Sequence, residues 1–198
     1  MLSFGASFQM QMKRSPIFFS EVSKNMKLRI AGTVNESIVD GPGFRYTIFT
    51  QGCPHHCEGC HNPQTHDFNG GTLVDTDDLF NEIIKDKLLD GVTFSGGDPF
   101  CQCKPLTELA KKIRSYNGFI IPLNIIAYTG YTYEYLIANT NEENGYMELL
   151  KELDYLVDGP FVLAKRSLEL KFMGSSNQRF IDVKESLKQG KAVTIEPY

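Results

Sequence analysis

Three thiols stand within one short loop, Cys53-Pro-His-His-Cys57-Glu-Gly-Cys60, in the spacing C-x3-C-x2-C, directly after an apolar, strand-like run from Tyr46 to Thr50. Thiolates this close in sequence can point at one centre, and soft sulfur ligands select zinc or iron–sulfur clusters over magnesium or calcium. The loop alone allows two readings. A closed structural zinc site needs four ligands, and all four histidines of the chain, His55, His56, His61 and His66, lie in or just after the triplet. A Cys3His zinc knuckle is therefore one reading. The other is a four-iron cluster held by Cys53, Cys57 and Cys60, with one iron left without a protein ligand and open to a small molecule.

A second stretch, Gly91-Val-Thr-Phe-Ser-Gly96-Gly97-Asp98-Pro99, reads as a buried strand running into a diglycine, an acidic residue and a proline. Glycines let a ligand approach the backbone closely, and proline stops the strand ladder. Carbonyls bared at such a strand end are acceptors for a ligand ammonium group. Standing alone, the stretch would read as an ordinary βα turn.

Together the two stretches resemble the radical S-adenosylmethionine (SAM) superfamily, whose hallmarks are C-x3-C-x2-C after the first barrel strand and a GGEP-like segment after the second. Here that segment is Gly96-Gly97-Asp98-Pro99, with the shorter aspartate in place of glutamate. Further motifs are Ser37-Ile-Val-Asp40-Gly41-Pro42-Gly43-Phe-Arg45, Cys60-His61-Asn62-Pro63 and Tyr128-Thr129-Gly130-Tyr131-Thr132. To these are added Leu156-Val157-Asp158-Gly159-Pro160-Phe161 and Gly174-Ser175-Ser176-Asn177-Gln178-Arg179. Through them the chain, from about Met26 to its end, is similar to the glycyl-radical activating enzymes and, within them, to the activating proteins of anaerobic (class III) ribonucleoside-triphosphate reductase. Gly59 departs from the superfamily, which usually has an aromatic residue before the third cysteine to stack near adenine. His61 is the candidate to replace it.

The resemblance implies an open, partial TIM-like (β/α)6 barrel of about six strands, a 4Fe-4S cluster on Cys53, Cys57 and Cys60, and SAM chelated to the open iron. It implies reductive cleavage of SAM to methionine and a 5′-deoxyadenosyl radical, which removes a hydrogen atom from a glycine Cα of the reductase. A flavodoxin or ferredoxin is the implied electron donor. Gly96, Gly97 and Asp98 are expected near the methionine amino group, then Thr129 and Gly130, with Asp40, Asn62, Asp158 and Arg179 as further candidates. Arg179 is the natural partner for a carboxylate. No side chain is required as a general acid or base. The alternatives are an activating enzyme of the pyruvate formate-lyase type, a small-molecule radical SAM enzyme such as a 7-carboxy-7-deazaguanine synthase, or a zinc-binding interaction module.

These residues must be positioned by a single domain. The chain has 198 residues, 41% of them hydrophobic, which suits one sizeable core. A formal net charge of −4 and the absence of a basic stripe argue against direct nucleic-acid binding. No apolar run approaches the roughly 18 residues of a membrane span. Five cysteines, three of them crowded together, do not form a disulfide framework, which places the chain in a reducing cytoplasm. Cys101 and Cys103 read as small, partly buried residues rather than a second metal site.

Residues 1–25 lack periodicity and are expected to be a poorly ordered extension, with the radical SAM domain over 26–198. Alternating signals predict strands at 28–34, 46–50, into Gly96, 123–127 and 155–157, and closing strands at 180–183 and 192–195. Helices are predicted from Asp75, over 104–116, over 133–138 and over 146–153. The alternation makes an α/β fold with a mainly parallel sheet, and the chain is short for full (β/α)8 closure at about 250 residues.

Overall fold

A computed structural model describes residues 26–197; the expectation of a poorly ordered extension over 1–25 lies outside the described residues. The elements in chain order are β1 (Lys27–Ser37), β2 (Arg45–Thr50), β3 (Thr72–Asp75), α1 (Thr76–Ile83), β4 (Gly91–Gly96), α2 (Cys103–Ser115) and β5 (Asn124–Tyr128), followed by α3 (Tyr133–Ala138), α4 (Tyr146–Glu152), β6 (Tyr155–Asp158), β7 (Arg179–Asp182) and α5 (Val183–Gln189).

The strands form one open sheet in the order β3-β1-β2-β4-β5-β6-β7. Its middle, β2, β4, β5 and β6, is parallel. The flanks are antiparallel, β1 to both β2 and β3, and β7 to β6. The open α/β arrangement expected from the sequence is present, built from seven strands rather than about six. At the β1–β2 flank the antiparallel pairing follows from the connection. Residues 38–44 are too few for a crossover, so the chain must return antiparallel.

Period-2 alternation sorts the side chains of the parallel strands onto two faces. Val92, Phe94, Ile125 and Ala127 face a core shared with Leu106, Leu109, Ala110 and Ile113 of α2. Each fully buried leucine there contributes about 2 kcal/mol. Ile126 and Val157, one residue out of phase, join Phe180, Tyr128, Phe172 and Met173 in a second cluster on the other face. That other face is concave and carries the cavity described below.

Two expectations at the end of the chain change. Residues 192–195 make only an isolated bridge, Ile181 to Thr194, in place of a closing strand. Between that bridge and β7 lies α5, which the sequence reading omitted. The Asp182 carboxylate caps it by accepting from Glu185 N, and Gly190, at φ +68°, ends it in the left-handed conformation.

Candidate active site

A cavity of about 840 Å³ opens at the C-terminal ends of the parallel strands, where loops of a barrel gather functional groups. Its size falls within the range of small-molecule sites. Cys53, Cys57 and Cys60 all face it, with Gly96 and Gly97 from the end of β4 and Thr129 and Gly130 from the end of β5. Asp40, His61 and Asn62 line it as well.

The cysteine loop is fastened by backbone hydrogen bonds, Gly52 N to Thr65 O at 2.8 Å and Cys53 N to His66 O at 3.2 Å. The three thiols are unpaired, Cys53 buried and the other two half-buried. Burial pushes the Cys53 thiol up to about 11, so a metal centre must displace its proton on binding. Asn62 N donates to Cys60 Sγ at 3.4 Å, the kind of contact that tunes a ligating sulfur. Among the described residues, no three His, Cys, Asp or Glu side chains converge closely enough to hold a single metal ion. Three soft ligands facing one roomy cavity suit a polynuclear cluster that leaves one iron open.

Gly97 lies directly on this loop. Gly97 N donates to Thr50 O at 2.7 Å and Asp98 N to Gly52 O at 2.8 Å, and a Cβ on Gly97 would sit 2.4 Å from Gly52 O. Gly96 has φ +92°, which glycine alone adopts freely. The diglycine thus brings bare backbone to the cavity beside the thiols.

The fully buried carboxylate of Asp98 lies behind the cavity lining, where it accepts from Phe100 N (2.9 Å), Thr129 Oγ1 (2.9 Å), Gly130 N (3.1 Å) and His55 Nε2 (2.6 Å). A carboxylate offers about four lone-pair sites. Oδ2 takes three of these donors and Oδ1 takes Phe100 N, so most of the accepting capacity is spent within the protein.

Asp158 and Arg179 are likewise brought to each other rather than to the thiols. The Arg179 guanidinium donates to both Asp158 oxygens and, at 2.7 Å, to Glu134, and Asp158 also accepts from Tyr133 N at 2.7 Å at the start of α3. Neither side chain lines the cavity. The carboxylate-binding role expected for Arg179 gives way to an ion pair joining β6, β7 and α3.

Asp40 reaches the cavity on the loop between β1 and β2, its carboxylate accepting from Ser37 Oγ at 2.5 Å. The loop is pinned beneath by fully buried Arg45, which donates to Pro42 O (3.0 Å), Thr93 Oγ1 (2.6 Å) and Asn124 Oδ1 (2.7 Å). Thr93 Oγ1 in turn donates to Asp40 O at 2.8 Å.

Sequence reasoning missed Phe161, whose ring lies 5.1 Å from that of His61 with both on the cavity wall. Its position just after Gly159-Pro160 was the available signal. It also missed Gln178, which holds the segment before it by accepting from Gly174 N at 2.8 Å and donating to Gly159 O at 3.0 Å. Leu168, Leu170, Phe172 and Met173 close the same side, in a stretch without periodicity to announce them. Cys101 is exposed and Cys103 buried, and neither lines the cavity.

Residues 39–181 match a family described as a 4Fe-4S single cluster domain. The chain is 32% identical over 145 residues to the anaerobic ribonucleoside-triphosphate reductase-activating protein of Escherichia coli K12, covering 71% of this chain and 90% of that protein. It is 33% identical over 147 residues to the protein of the same name from Vibrio cholerae, covering 71% and 89%. A pyruvate formate-lyase-activating enzyme from Clostridium pasteurianum is 31% identical over 118 residues, covering 57% of this chain and 49% of that one. With its three thiols on one cavity beside a bare diglycine turn, the chain belongs to the radical SAM superfamily, in the family of the anaerobic ribonucleoside-triphosphate reductase-activating proteins.

Proposed function

We propose that this protein activates an anaerobic ribonucleoside-triphosphate reductase by installing a glycyl radical on it. The observation that carries the reading is the single cavity onto which Cys53, Cys57, Cys60, Gly96 and Gly97 all open. Cys53, Cys57 and Cys60 would hold a four-iron cluster there, which would supply the electron for reductive cleavage of SAM to methionine and a 5′-deoxyadenosyl radical, the species that would take a hydrogen atom from a glycine Cα of the partner.

The chain's own residues bind, orient and shield. Cys53, Cys57 and Cys60 hold the cluster, and the Gly96-Gly97 backbone offers acceptors beside it for the methionine ammonium. Thr129 and Gly130 bound the same corner. His61 and Phe161 present adjoining rings for adenine, in place of the aromatic residue that Gly59 replaces. Asn62 steadies the Cys60 sulfur, and Asp40 lines the same cavity. Homolysis needs no proton transfer, so the histidines have no acid–base role. The electron comes from a flavodoxin or ferredoxin in the cytoplasm. No helix among the described residues is long and apolar enough to cross a membrane.

The test is anaerobic reconstitution with iron and sulfide, reduction with SAM present, and low-temperature EPR with and without a class III reductase. A cluster signal that SAM perturbs, followed by a glycyl-radical doublet on the reductase, is the expected result. A SAM-responsive cluster with no doublet on this partner, but one on pyruvate formate-lyase, would reassign the substrate. Tightly held zinc with no iron would overturn the reading altogether.

A further inference from the structure

His55 lies between two of the cysteines assigned to the cluster and lines the same cavity, yet its imidazole is bonded to Asp98. Its ring is 16% exposed, and Nε2 stands 2.6 Å from Asp98 Oδ2. Its ring meets Tyr131 edge-on at 4.5 Å between centroids. The next residue, His56, has φ +47°, a left-handed conformation uncommon outside glycine. That twist sits between His55 on Asp98 and Cys57 on the cavity wall.

A second, independent observation concerns Gly130. A Cβ there would lie 2.4 Å from His55 Cδ2, so the end of β5 is kept bare where the imidazole sits. The same Asp98 carboxylate accepts from Gly130 N and Thr129 Oγ1. One buried anion therefore joins the ends of β4 and β5 to the cysteine loop, and His55 is the loop's only side chain bonded to it among the described residues.

We propose that His55 is a positioning residue, which by donating from Nε2 to Asp98 clamps the cysteine loop onto the ends of β4 and β5 and fixes the thiols relative to Gly96, Gly97 and Thr129. The inference rests on the functional reading only for its consequence in the loaded enzyme; the clamp itself belongs to the protein without its cluster. It also gives the aspartate of Gly96-Gly97-Asp98-Pro99 a role: the carboxylate is the anchor of the ligand loop rather than a contact to SAM. A hydrogen bond to a buried carboxylate is among the stronger ones a protein makes, and it adds a side-chain tie to the backbone bonds that hold the start of the loop.

The test begins with amide hydrogen exchange on the metal-free protein. His55→Ala should speed exchange across residues 53–60 about tenfold, the signature of a lost local constraint, while the amides of Ile125 to Ala127 keep their protection. His55→Gln, whose amide can still donate to Asp98, should restore most of it. Gly130→Ala should reproduce the loosening with His55 and Asp98 both present, because the added methyl displaces the imidazole. In His55→Ala the same glycine substitution should add nothing further, since neighbours in one contact are not additive. After reconstitution, His55→Ala should retain iron but lose the SAM-induced change in the EPR spectrum of the reduced cluster.

Unchanged exchange over residues 53–60 in His55→Ala, or additive effects of the two substitutions, would overturn the proposal. If the wild-type chain holds no cluster, the functional reading fails, and the exchange results still decide the clamp.

Discussion

At the scale of single residues, Gly97 is where packing and chemistry meet. Its backbone lines the cavity while its missing side chain makes room for Gly52, since a Cβ there would stand only 2.4 Å from the Gly52 carbonyl oxygen. Gly97→Ala must push the cysteine loop away from the end of β4. The expected cost is about 1–3 kcal/mol of stability, read by urea denaturation, together with weaker SAM binding in equilibrium titrations of the reconstituted protein. Cys57→Ala should behave oppositely. Its thiol is half-buried and supports little packing, so the melting temperature of the metal-free protein should barely move while 5′-deoxyadenosine production falls to background. Restored SAM cleavage in that variant would remove Cys57 from the ligand set. Residues of this kind were legible in the sequence because their demand is intrinsic: soft metals need thiolates, and close backbone approach needs glycine. Asp98, Asp158 and Arg179 were not, because the destination of a charged side chain depends on partners the fold supplies from far away. Arg179 finds Glu134 across 45 positions and Asp158 across 21.

At the scale of elements, Asp154 gathers three of them before β6. It accepts from Arg114 of α2 and Lys184 of α5, each at 2.5 Å, and from Ile125 N of β5 at 2.7 Å. Burial alone would raise its carboxyl, but the Lys184 and Arg114 bonds outweigh burial and hold it below the usual aspartate value. A carboxylate depressed on folding contributes stability that is complete above the unfolded-state value near 4 and drains away as pH falls below it. Asp154→Asn should therefore cost about 2 kcal/mol at neutral pH. It should also flatten the loss of stability between about pH 4 and 2, measured as urea midpoints across that range. Arg45 plays a comparable part at the same end of the strands, where it ties the Asp40 loop to β4 and β5. Arg45→Lys keeps the charge but loses the planar fork, and with several buried acceptors left unmet it should cost about 3 kcal/mol or more in the same assay. The helices and parallel strands were readable from periodicity, since each presents one clear apolar face or run. The apolar run at 192–195 was over-read as a full strand, because beyond packing on the core it pairs with β7 only through the bridge at Thr194 and its two backbone hydrogen bonds. The helix α5 escaped notice for the converse reason, having only Val183 and Ser186 buried.

At the scale of the whole molecule, the sheet stops short of closure, and its two flanks carry apolar side chains to the mouth of the cavity. Val39, 73% exposed, stands on the loop between β1 and β2, and Leu168, 87% exposed, on the segment between β6 and β7. Both line the cavity, on segments that belong to different flanks of the sheet. Scattered exposed apolar residues need no explanation, but two flanking one opening make a rim against which an extended, glycine-bearing segment of the reductase can settle. Steric access also matters: a glycine Cα must come within contact distance of the adenosyl carbon, which only an open side permits. Leu168 is far too exposed to support the core, so Leu168→Asp should leave the fold and the partner-independent cleavage of SAM close to wild type. Its expected defect lies in coupling, with the glycyl-radical yield at limiting reductase reduced about tenfold, as for an apolar anchor lost from an interface. Parallel measurement of radical spins by EPR and of 5′-deoxyadenosine by chromatography separates the cases. Equal losses in both would place Leu168 against SAM instead of the partner, and no loss in either would show that the reductase enters elsewhere.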